Sequence, residues 1–171
     1  MLKTIKVEDM IPDVALKYVP YSKDEDLKAC PIPIPYNLHE QLRGKKAVIF
    51  AIPGAFTPTC SEKHVPEYLA KYEELKAKGV DVVICTAIND GFVMNAFAKV
   101  SGTTDKILMA SEGGSGFYEK LGLTQDLTRA GLGIRSQRFA LLVDDLVVKY
   151  VGVEDGPGVS VSGVDAILSK L

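Results

Sequence analysis

The chain has 171 residues, 47% of them hydrophobic and 25% charged, a composition that indicates a globular protein and excludes a disordered or collagen-like chain. A domain of this length buries enough surface to be stable without disulfides or a structural metal. The net charge of −2, the lack of a Lys/Arg block and the absence of any apolar run near the ~18 residues of a membrane span argue against nucleic acid and membranes as partners. The first residues lack the apolar region of a signal peptide, so we expect a soluble protein that is not secreted.

The first half of the chain predicts two buried strands with a long helix between them. Residues 30–35 alternate proline with apolar residues and predict an extended loop or edge strand, because proline cannot donate to a central ladder. Residues 46–52 and 80–88 are continuous apolar, β-branched runs that are typical of strands buried on both faces. Between them, residues 58–78 have helical spacing and end at Gly79.

The second half continues the alternation of strands and helices. A second helix is predicted between a cap at Asn89-Asp90 and a stop at Gly102. The order strand, helix, strand, helix implies a right-handed βαβ unit. The remaining predicted elements are a strand at 106–110, a helix at 117–121, two strands at 138–143 and 146–151 joined by a tight turn at Asp144-Asp145, and a helix at 162–170. The prediction is an α/β protein with a mixed central sheet flanked by helices, which is compatible with a thioredoxin-like fold.

Three cysteines occur, Cys30, Cys60 and Cys85, and none is part of a C-x-x-C pair. An odd number without such a pair fits neither a secreted disulfide framework nor a zinc site. The two histidines, His39 and His64, are far apart in the sequence and do not indicate zinc. We therefore expect free or catalytic thiols in a reducing compartment, with no metal or other cofactor.

The segment from Pro53 to Cys60 joins the first buried strand to the long helix. Thr57 is a preferred N-cap residue and Pro58 a preferred first helical residue, so Cys60 falls in the first helical turn. Unpaired backbone N–H groups and the helix dipole stabilise a thiolate there, which predicts a nucleophilic cysteine. The alternative is that Cys60 is a small buried hydrophobic residue, as most free cysteines are.

Two residues follow Cys60 closely in the predicted helix. His64 lies one helical turn further along and could form the Cys–His pair of a hydrolase, but no third member is evident, so we favour a packing or dipole-supporting role. Pro66 removes the helical bond to the carbonyl of Glu62 and predicts a kink, which would help the turn around Cys60 to unwind.

The pattern Pro53-x-x-x-Thr57-x-x-Cys60, within PGAFTPTCSEKHVPEY, resembles the active-site signature of the peroxiredoxins, in particular the type II or peroxiredoxin-five-like branch. Further similarity at residues 78–94 and 131–143 extends the resemblance over nearly the whole chain, and the fungal peroxisomal members are the most similar. The resemblance implies a single thioredoxin-like domain over residues 1–171 and a homodimer. It also implies a thiol-dependent peroxidase that reduces hydrogen peroxide and alkyl hydroperoxides in antioxidant defence and redox homeostasis.

The resemblance also implies roles for four residues. Cys60 is the nucleophile that attacks the peroxide and becomes a sulfenic acid, Thr57 positions the peroxide oxygens, and Pro53 shields the sulfur from water. Arg138 supports the thiolate and the transition state, as a fixed cation beside a thiolate should. Arg135 lies three residues earlier, and we expect it to have a supporting or surface role.

The second thiol of the cycle has two candidates. Cys85 matches the resolving position of the plant type II enzymes but lies in a predicted core strand, whereas Cys30 matches a cysteine that pairs across the dimer in some fungal relatives. We favour Cys30, because a loop moves more readily than a core strand. A one-cysteine mechanism completed by glutathione stays open, and the expected reductants are thioredoxin, glutaredoxin or glutathione. The functional alternative is a non-catalytic thiol redox sensor or holdase that uses the same cysteine.

The last three residues, Ser169, Lys170 and Leu171, form the tripeptide that the peroxisomal import receptor recognises. The alternative is the ordinary end of a helix with an exposed lysine. We expect the import receptor as a partner and the peroxisome as the location, with the cytoplasm as a second location.

Overall fold

The computed structural model describes residues 3–23 and 26–171. The strands are β1 (Ala15–Tyr18), β2 (Ile34–Asn37), β3 (Lys46–Ala51), β4 (Val82–Ala87), β5 (Leu108–Ser111), β6 (Thr124–Asp126), β7 (Ile134–Ser136), β8 (Phe139–Asp144) and β9 (Val147–Val153). The helices are α1 (Leu38–Leu42), α2 (Val65–Ala70), α3 (Tyr72–Ala77), α4 (Gly91–Ser101), α5 (Phe117–Leu121) and α6 (Val164–Leu168). A π-helical turn (Cys60–His64) precedes α2, and a 3₁₀ turn (Thr128–Ala130) follows β6.

A seven-stranded mixed sheet forms the centre, in the order β2-β1-β5-β4-β3-β8-β9. The strands β3, β4 and β5 are parallel, while β8 and β9 form an antiparallel hairpin beside β3. The predicted mixed sheet with a hairpin last is therefore confirmed, but the parallel strands do not come first, because β1 and β2 precede them and are antiparallel. The strands β6 and β7 form a separate two-stranded sheet. No helix in the described part of the chain is long and apolar enough to cross a membrane.

Two apolar clusters cover the two faces of the central sheet. Successive residues of β3 alternate between them: Ile49 and Ala51 belong to one cluster, and Val48 and Phe50 to the other. The first cluster includes buried residues of α1 and α5, and the second includes residues of α2, α3, α4 and α6. This arrangement explains the continuous apolar runs of β3 and β4, because a strand covered by helices on both faces exposes neither of its side-chain rows.

The helix predicted over residues 58–78 is wrong as one element. Pro66 has no N–H for the carbonyl of Glu62, and the preceding turn is π-helical, with the N–H of Val65 bonded to the carbonyl of Cys60. A second break falls at Lys71, where φ is −108° and ψ is 16°, and no proline or glycine marks it. The predicted disturbance near Pro66 is thus present, in the form of a π turn immediately before it.

The turn of the terminal hairpin lies one residue later than predicted. Its central residues are Asp145 and Leu146, with φ values of 46° and 71°, rather than Asp144-Asp145. Two consecutive residues with positive φ give a turn whose twist matches the flanking strands. Leu146 accepts this backbone because its side chain is buried in the first apolar cluster.

The elements at the start of the chain contain both a confirmed and a missed prediction. The proline-rich segment ends in β2, which is an edge strand as predicted, since it pairs only with β1. The strand β1 and the helix α1, which Asn37 caps by accepting a hydrogen bond from the N–H of Glu40, were not predicted. The sheet β6–β7 was missed as well.

Candidate active site

Cys60 lies in the first turn of helical structure, as predicted, and its side chain is completely buried. The chain leaves β3 at Ala51 and becomes helical at Pro58. Thr57 is at the predicted N-cap position, directly before the first helical residue, and its hydroxyl donates to the carbonyl of Gly54 at 2.8 Å. The backbone carbonyl of Thr57 starts the helix by accepting from the N–H of Ser61.

Arg138 is the charged neighbour of the Cys60 thiol. Its Nη2 donates to the sulfur at 3.2 Å, and its Nη1 lies 2.9 Å from Nδ1 of His64. The position follows from the sheet register: Phe139 of β8 pairs with Ala51 of β3, so the residue before β8 meets the loop that leaves β3. The guanidinium is almost buried, and a fixed cation in a dry site stabilises an adjacent thiolate strongly.

His64 is buried and uses both ring nitrogens. Nε2 lies 2.9 Å from the carbonyl of Ser162, and Nδ1 faces the donor Nη1 of Arg138. Burial lowers the pKa of His64 to about 4; the Ser162 carbonyl opposes this shift and the Arg138 charge adds to it. The ring is therefore neutral, with its proton on Nε2 and an acceptor at Nδ1. Neither nitrogen is available to take a proton from Cys60, so the geometry does not support a hydrolase pair.

The loop that follows β3 is held by three side chains from two other segments, β7 and the loop before α4. Arg135 donates to the carbonyl of Pro53 at 3.1 Å and is partly buried, so it is a supporting residue and not a surface one. Ser136 donates to the carbonyl of Ile52, and Asn89 accepts from the N–H of Ala55. A Cβ on Gly54 would lie 2.9 Å from Arg135 Nη1, so a larger residue there would displace the end of this arginine side chain. The loop is thus held in one conformation next to Cys60.

Pro53 and Arg138 line a cavity of about 440 Å³ together with Gln125, Gln137 and residues 154–157. Polar side chains form much of this wall. In the described residues, no three His, Cys, Asp or Glu side chains come together as a metal site would require. Of the predicted site residues, Pro53 and Arg138 line this cavity, while Cys60 lies buried behind the Arg138 guanidinium and Thr57 lies outside the lining.

The other two cysteines lie in contrasting places. Cys85 is completely buried in β4, where it pairs with Phe50 of β3, and burial raises the pKa of its thiol well above the usual range. Cys30 is exposed, in a loop whose carbonyls at Asp26 and Ala29 accept from the ammonium of Lys99 in α4. Both thiols are free, as is Cys60.

The C-terminal tripeptide follows α6. Ser169 and Lys170 are exposed, whereas Leu171 is partly buried and packs against the second apolar cluster. The ammonium of Lys170 lies 5.7 Å from the centre of the Tyr150 ring.

The sequence did not indicate four residues that support the site: Asn89, Ser136, Glu154 and Ser162. The sequence suggested Asn89 only as part of the cap of α4, but Asp90 is the residue that caps this helix. Asn89 instead contacts the loop after β3, where its side chain accepts from the N–H of Ala55. Ser136 and Ser162 contact residues 84 and 98 positions away, and one sequence contains no signal for such contacts. Glu154 contacts Ser160 and Ser162, six and eight positions along the chain, in a segment without the periodic pattern of a helix or strand.

Comparison with known proteins agrees with this geometry. The family model described as Redoxin matches residues 6–168. A Lipomyces kononenkoae protein named "Putative peroxisomal peroxiredoxin" is 46% identical over 161 residues, which cover 93% of this chain and 96% of that protein. Peroxiredoxin-2B of Arabidopsis thaliana is 42% identical over 167 residues, or 98% of each chain.

The chain belongs to the peroxiredoxin family. Its relatives are of the type II, peroxiredoxin-five-like kind, and this peroxiredoxin is a thiol-dependent peroxidase of antioxidant function. A solved structure, reduced Prx3 of Vibrio vulnificus in complex with H₂O₂, is 36% identical, covers 98% of this chain and 100% of its own, and superposes with a TM-score of 0.86. The predicted thioredoxin-like fold is therefore confirmed.

Proposed function

We propose that this peroxiredoxin reduces hydrogen peroxide and alkyl hydroperoxides with Cys60 as the nucleophile. The observation that supports this assignment is the 3.2 Å hydrogen bond from the buried Arg138 guanidinium to the Cys60 sulfur at the start of a helix. Cation and helix terminus both favour the thiolate, which is the reactive form. The related Vibrio vulnificus structure, described as a complex with H₂O₂, supports the choice of substrate.

The first step of the reaction is a two-electron transfer from sulfur to the peroxide. The Cys60 thiolate attacks the terminal oxygen, so that an S–O bond forms while the O–O bond breaks. That oxygen keeps its hydrogen and becomes the sulfenic acid hydroxyl. The leaving oxygen takes a proton from solvent and departs as water or an alcohol. Arg138 supports this step because its charge stabilises the negative charge that moves onto the leaving oxygen.

Thr57 and Pro53 complete the proposed site. The Thr57 hydroxyl donates its proton to the Gly54 carbonyl, so its oxygen remains as an acceptor that can orient the O–H of a peroxide. Pro53 contributes an apolar ring and no N–H, and its carbonyl is engaged by Arg135. We therefore assign Thr57 to peroxide orientation and Pro53 to exclusion of water from the sulfur.

The test replaces Cys60 by serine and measures consumption of hydrogen peroxide with dithiothreitol as reductant. We expect Cys60→Ser to abolish turnover. The matched control is Ser61→Ala, which removes a neighbouring buried hydroxyl that has no hydrogen-bond partner in the described residues and should leave turnover unchanged. Turnover by Cys60→Ser would refute the proposal. Wild-type consumption that stops after one equivalent per chain would instead favour the sensor or holdase alternative.

For the second half of the cycle we propose Cys30 as the thiol that resolves the sulfenic acid, in a homodimer. Cys30 is exposed in a loop, while Cys85 is buried in a central strand with a raised pKa that keeps its thiol protonated. The Cys30 sulfur of one protomer attacks Cys60 of its partner, an S–S bond forms, the S–O bond breaks and water leaves. Thioredoxin, glutaredoxin or glutathione then reduces the disulfide back to two thiols.

Non-reducing electrophoresis of peroxide-treated protein tests this pairing. We expect a band at the mass of a covalent dimer that is lost in Cys30→Ser and kept in Cys85→Ser. A dimer band that persists in Cys30→Ser would refute the assignment. A disulfide within the monomer that is lost only in Cys85→Ser would identify Cys85 as the resolving cysteine. The absence of any disulfide in all the proteins tested would indicate the one-cysteine mechanism with glutathione.

We also propose that the protein is imported into the peroxisome by recognition of Ser169, Lys170 and Leu171. Two observations support this proposal: the tripeptide itself, and the similarity to the Lipomyces kononenkoae protein that is named as peroxisomal. The test is the distribution of a fluorescent protein fused before residue 1, compared with the same fusion carrying Leu171→Ser. Punctate signal that disappears in the variant is the expected result, and a signal in the cytoplasm for both would refute it.

A further inference from the structure

Glu154, the residue directly after β9, binds one short segment of the chain with its carboxylate. Oε1 accepts from the N–H of Ser160 at 2.6 Å and from the N–H and hydroxyl of Ser162, each at 2.9 Å, and Oε2 accepts from the hydroxyl of Ser160 at 2.9 Å. These four hydrogen bonds use the acceptor capacity of the carboxylate, and bonds to a charged group are stronger than those between neutral groups. The segment 160–162 is therefore fixed relative to β9.

The backbone of β9 is in direct contact with the segment 160–162. The carbonyl oxygen of Val161 would lie 2.0 Å from a Cβ placed on Gly152, so the two backbones touch directly. Tyr150 adds a hydrogen bond from its hydroxyl to the carbonyl of Val161 at 2.7 Å. The next carbonyl, that of Ser162, is consequently held at a defined place in the protein interior.

The Ser162 carbonyl decides the proton position on His64. It accepts from the Tyr68 hydroxyl at 2.8 Å and lies 2.9 Å from Nε2 of His64, which places the ring proton on that nitrogen. Nδ1 is then an acceptor and receives Nη1 of Arg138, whose Nη2 reaches the Cys60 sulfur. The contacts thus run without a gap from Glu154 to the thiol.

The backbone N–H of Glu154 donates to the carbonyl of Arg138 at 2.9 Å, so the residue lies next to this arginine along the sheet. We propose that the Glu154 carboxylate is a positioning group of the peroxidase reaction, which fixes the Ser162 carbonyl and thereby the tautomer of His64 that holds the Arg138 guanidinium on Cys60. This inference rests on the proposed role of Cys60 and assigns a function to a carboxylate that does not contact the sulfur. Its physical basis is geometric: a guanidinium stabilises a thiolate only while it is held in contact, and a freely rotating arginine exchanges that contact for water.

The effect of Glu154 on the Cys60 thiolate can be measured as a function of pH, because few neighbouring groups titrate in the same range. Charged and titratable groups along the contacts, on every packed element, are Arg138, His64, Tyr68, Tyr150, Glu67, Asp155 and Cys85. The pKa of His64 is about 4 and those of Tyr68, Tyr150 and Cys85 are raised, so these four do not titrate between about pH 5 and 8. Burial raises the pKa of Glu154, but the serine hydrogen bonds outweigh burial and hold that pKa below its usual value.

The test is Glu154→Gln in the full chain, with the rate of Cys60 alkylation by iodoacetamide measured against pH without peroxide. The amide keeps the size of the side chain but loses the charge and one acceptor oxygen, so it cannot accept all four hydrogen bonds. We expect the midpoint of the pH dependence to move upward by about one pH unit, a tenfold loss of thiolate below the midpoint. Background alkylation is removed by carrying out all measurements in Cys30→Ser protein.

Two further variants separate positioning from a general loss of structure. Glu119→Gln makes the same substitution at an exposed residue of α5, on the other face of the sheet, and it should leave the midpoint unchanged. In a double-mutant cycle, Glu154→Gln should add no further shift once His64→Gln is present, because both act through the same contacts. A purely structural role predicts additive shifts.

An unchanged midpoint in folded Glu154→Gln, or additive shifts in the cycle, would overturn the inference. If Glu154→Gln fails to fold, Ser162→Ala, which removes only one of the four bonds, takes its place, with a smaller upward shift expected and no shift counting against the inference. Alkylation requires no peroxidase activity, so an inactive wild-type enzyme would refute the proposed function without affecting this result.

Discussion

Cys60 and Cys85 are two completely buried thiols in one apolar cluster, yet a hydrogen bond from Arg138 reaches the sulfur of Cys60, whereas Arg138 acts on Cys85 through its charge. Cys85 sits between strands, and burial is the main cause of its raised pKa. Cys60 sits at the start of a helix with the guanidinium of Arg138 at 3.2 Å and a neutral histidine behind that guanidinium. Burial by itself therefore produces an inert thiol, and a buried thiol becomes a nucleophile only when a fixed cation is buried with it.

Removal of the Arg138 guanidinium should remove most of the difference in reactivity between Cys60 and Cys85. Arg138→Ala leaves Cys60 as buried as Cys85 but without its charged donor, and we expect the second-order rate with hydrogen peroxide to fall about 10²–10³-fold, or about 3–4 kcal/mol. Stopped-flow measurement of the single-turnover reaction checks this. Arg43→Ala, at an exposed arginine after α1, is the matched control and should leave the rate unchanged. A loss below threefold in Arg138→Ala would mean that the cation does not distinguish the two thiols.

The second test concerns His64, the neutral partner that Cys85 lacks. Its pKa is about 4 in the folded protein, against an ordinary value of 6.5 for an unfolded chain, so between these pH values the unfolded state binds a proton that the native state does not. The contribution of His64 to the free energy of unfolding should therefore be fully present above about pH 7. The free energy of unfolding should fall by about 3 kcal/mol as the pH drops to about 4. Urea titrations across this range measure it.

The control for this pH dependence is the other histidine. His64→Gln should flatten the curve, while His39→Gln should leave it as in the wild type. An equally steep fall in His64→Gln would assign the acid sensitivity to other groups.

A more modest change is expected at Cys85 itself. Cys85→Ala removes one sulfur from a packed strand and should lower the free energy of unfolding by about 1–2 kcal/mol, with the single-turnover rate of Cys60 unchanged. Chemical denaturation and stopped-flow kinetics measure the two quantities separately. A tenfold change in the Cys60 rate would show that the two thiols are coupled and that the contrast between them is incomplete.

The weakest perturbation involves the third, exposed thiol. Lys99 holds the carbonyls of Asp26 and Ala29 in the loop before Cys30, and Lys99→Met should release that loop at a cost of about 1 kcal/mol or less in stability. We expect the rate of Cys30 alkylation to change severalfold and that of Cys60 to stay constant. Lys78→Met, at an exposed lysine after α3, serves as the control. Equal alkylation of Cys30 in the wild type and Lys99→Met would mean that the lysine does not restrain the loop.

Local chemistry explains which parts of the fold were predictable. The strands β3 and β4, the cap and stop of α4 and the bounds of α5 follow from apolar runs, an Asp cap and glycines, and the structure confirms them. The strand β1 was missed because its four residues contain only one completely buried side chain. The turn of the terminal hairpin was displaced because burial of Leu146 outweighs the preference of aspartate for turns.

The site was predictable to a similar depth. Position in the first helical turn could be read from Thr57-Pro58, and the pairing of Arg138 with Cys60 agrees with the resemblance to the family. The residues that hold Arg138 and Cys60 in place could not be predicted from the sequence. His64 appeared as a helix-face residue, and its actual partners, Arg138 and Ser162, lie 74 and 98 positions away, brought together only by the sheet and the segment after β9.

The π turn at Cys60–His64 has a consequence for chain length. An α-helix advances about 100° per residue, and a π turn takes up one residue more than the α-helical turn it replaces. Deleting the exposed Lys63 should therefore restore a regular helix with little change in the direction of Cys60 relative to α2. The N–H of Val65 would still bond to the carbonyl of Cys60, now as an ordinary α-helical bond between residues four apart. The π turn is thus a one-residue insertion that the helix absorbs without turning the nucleophile away from Arg138.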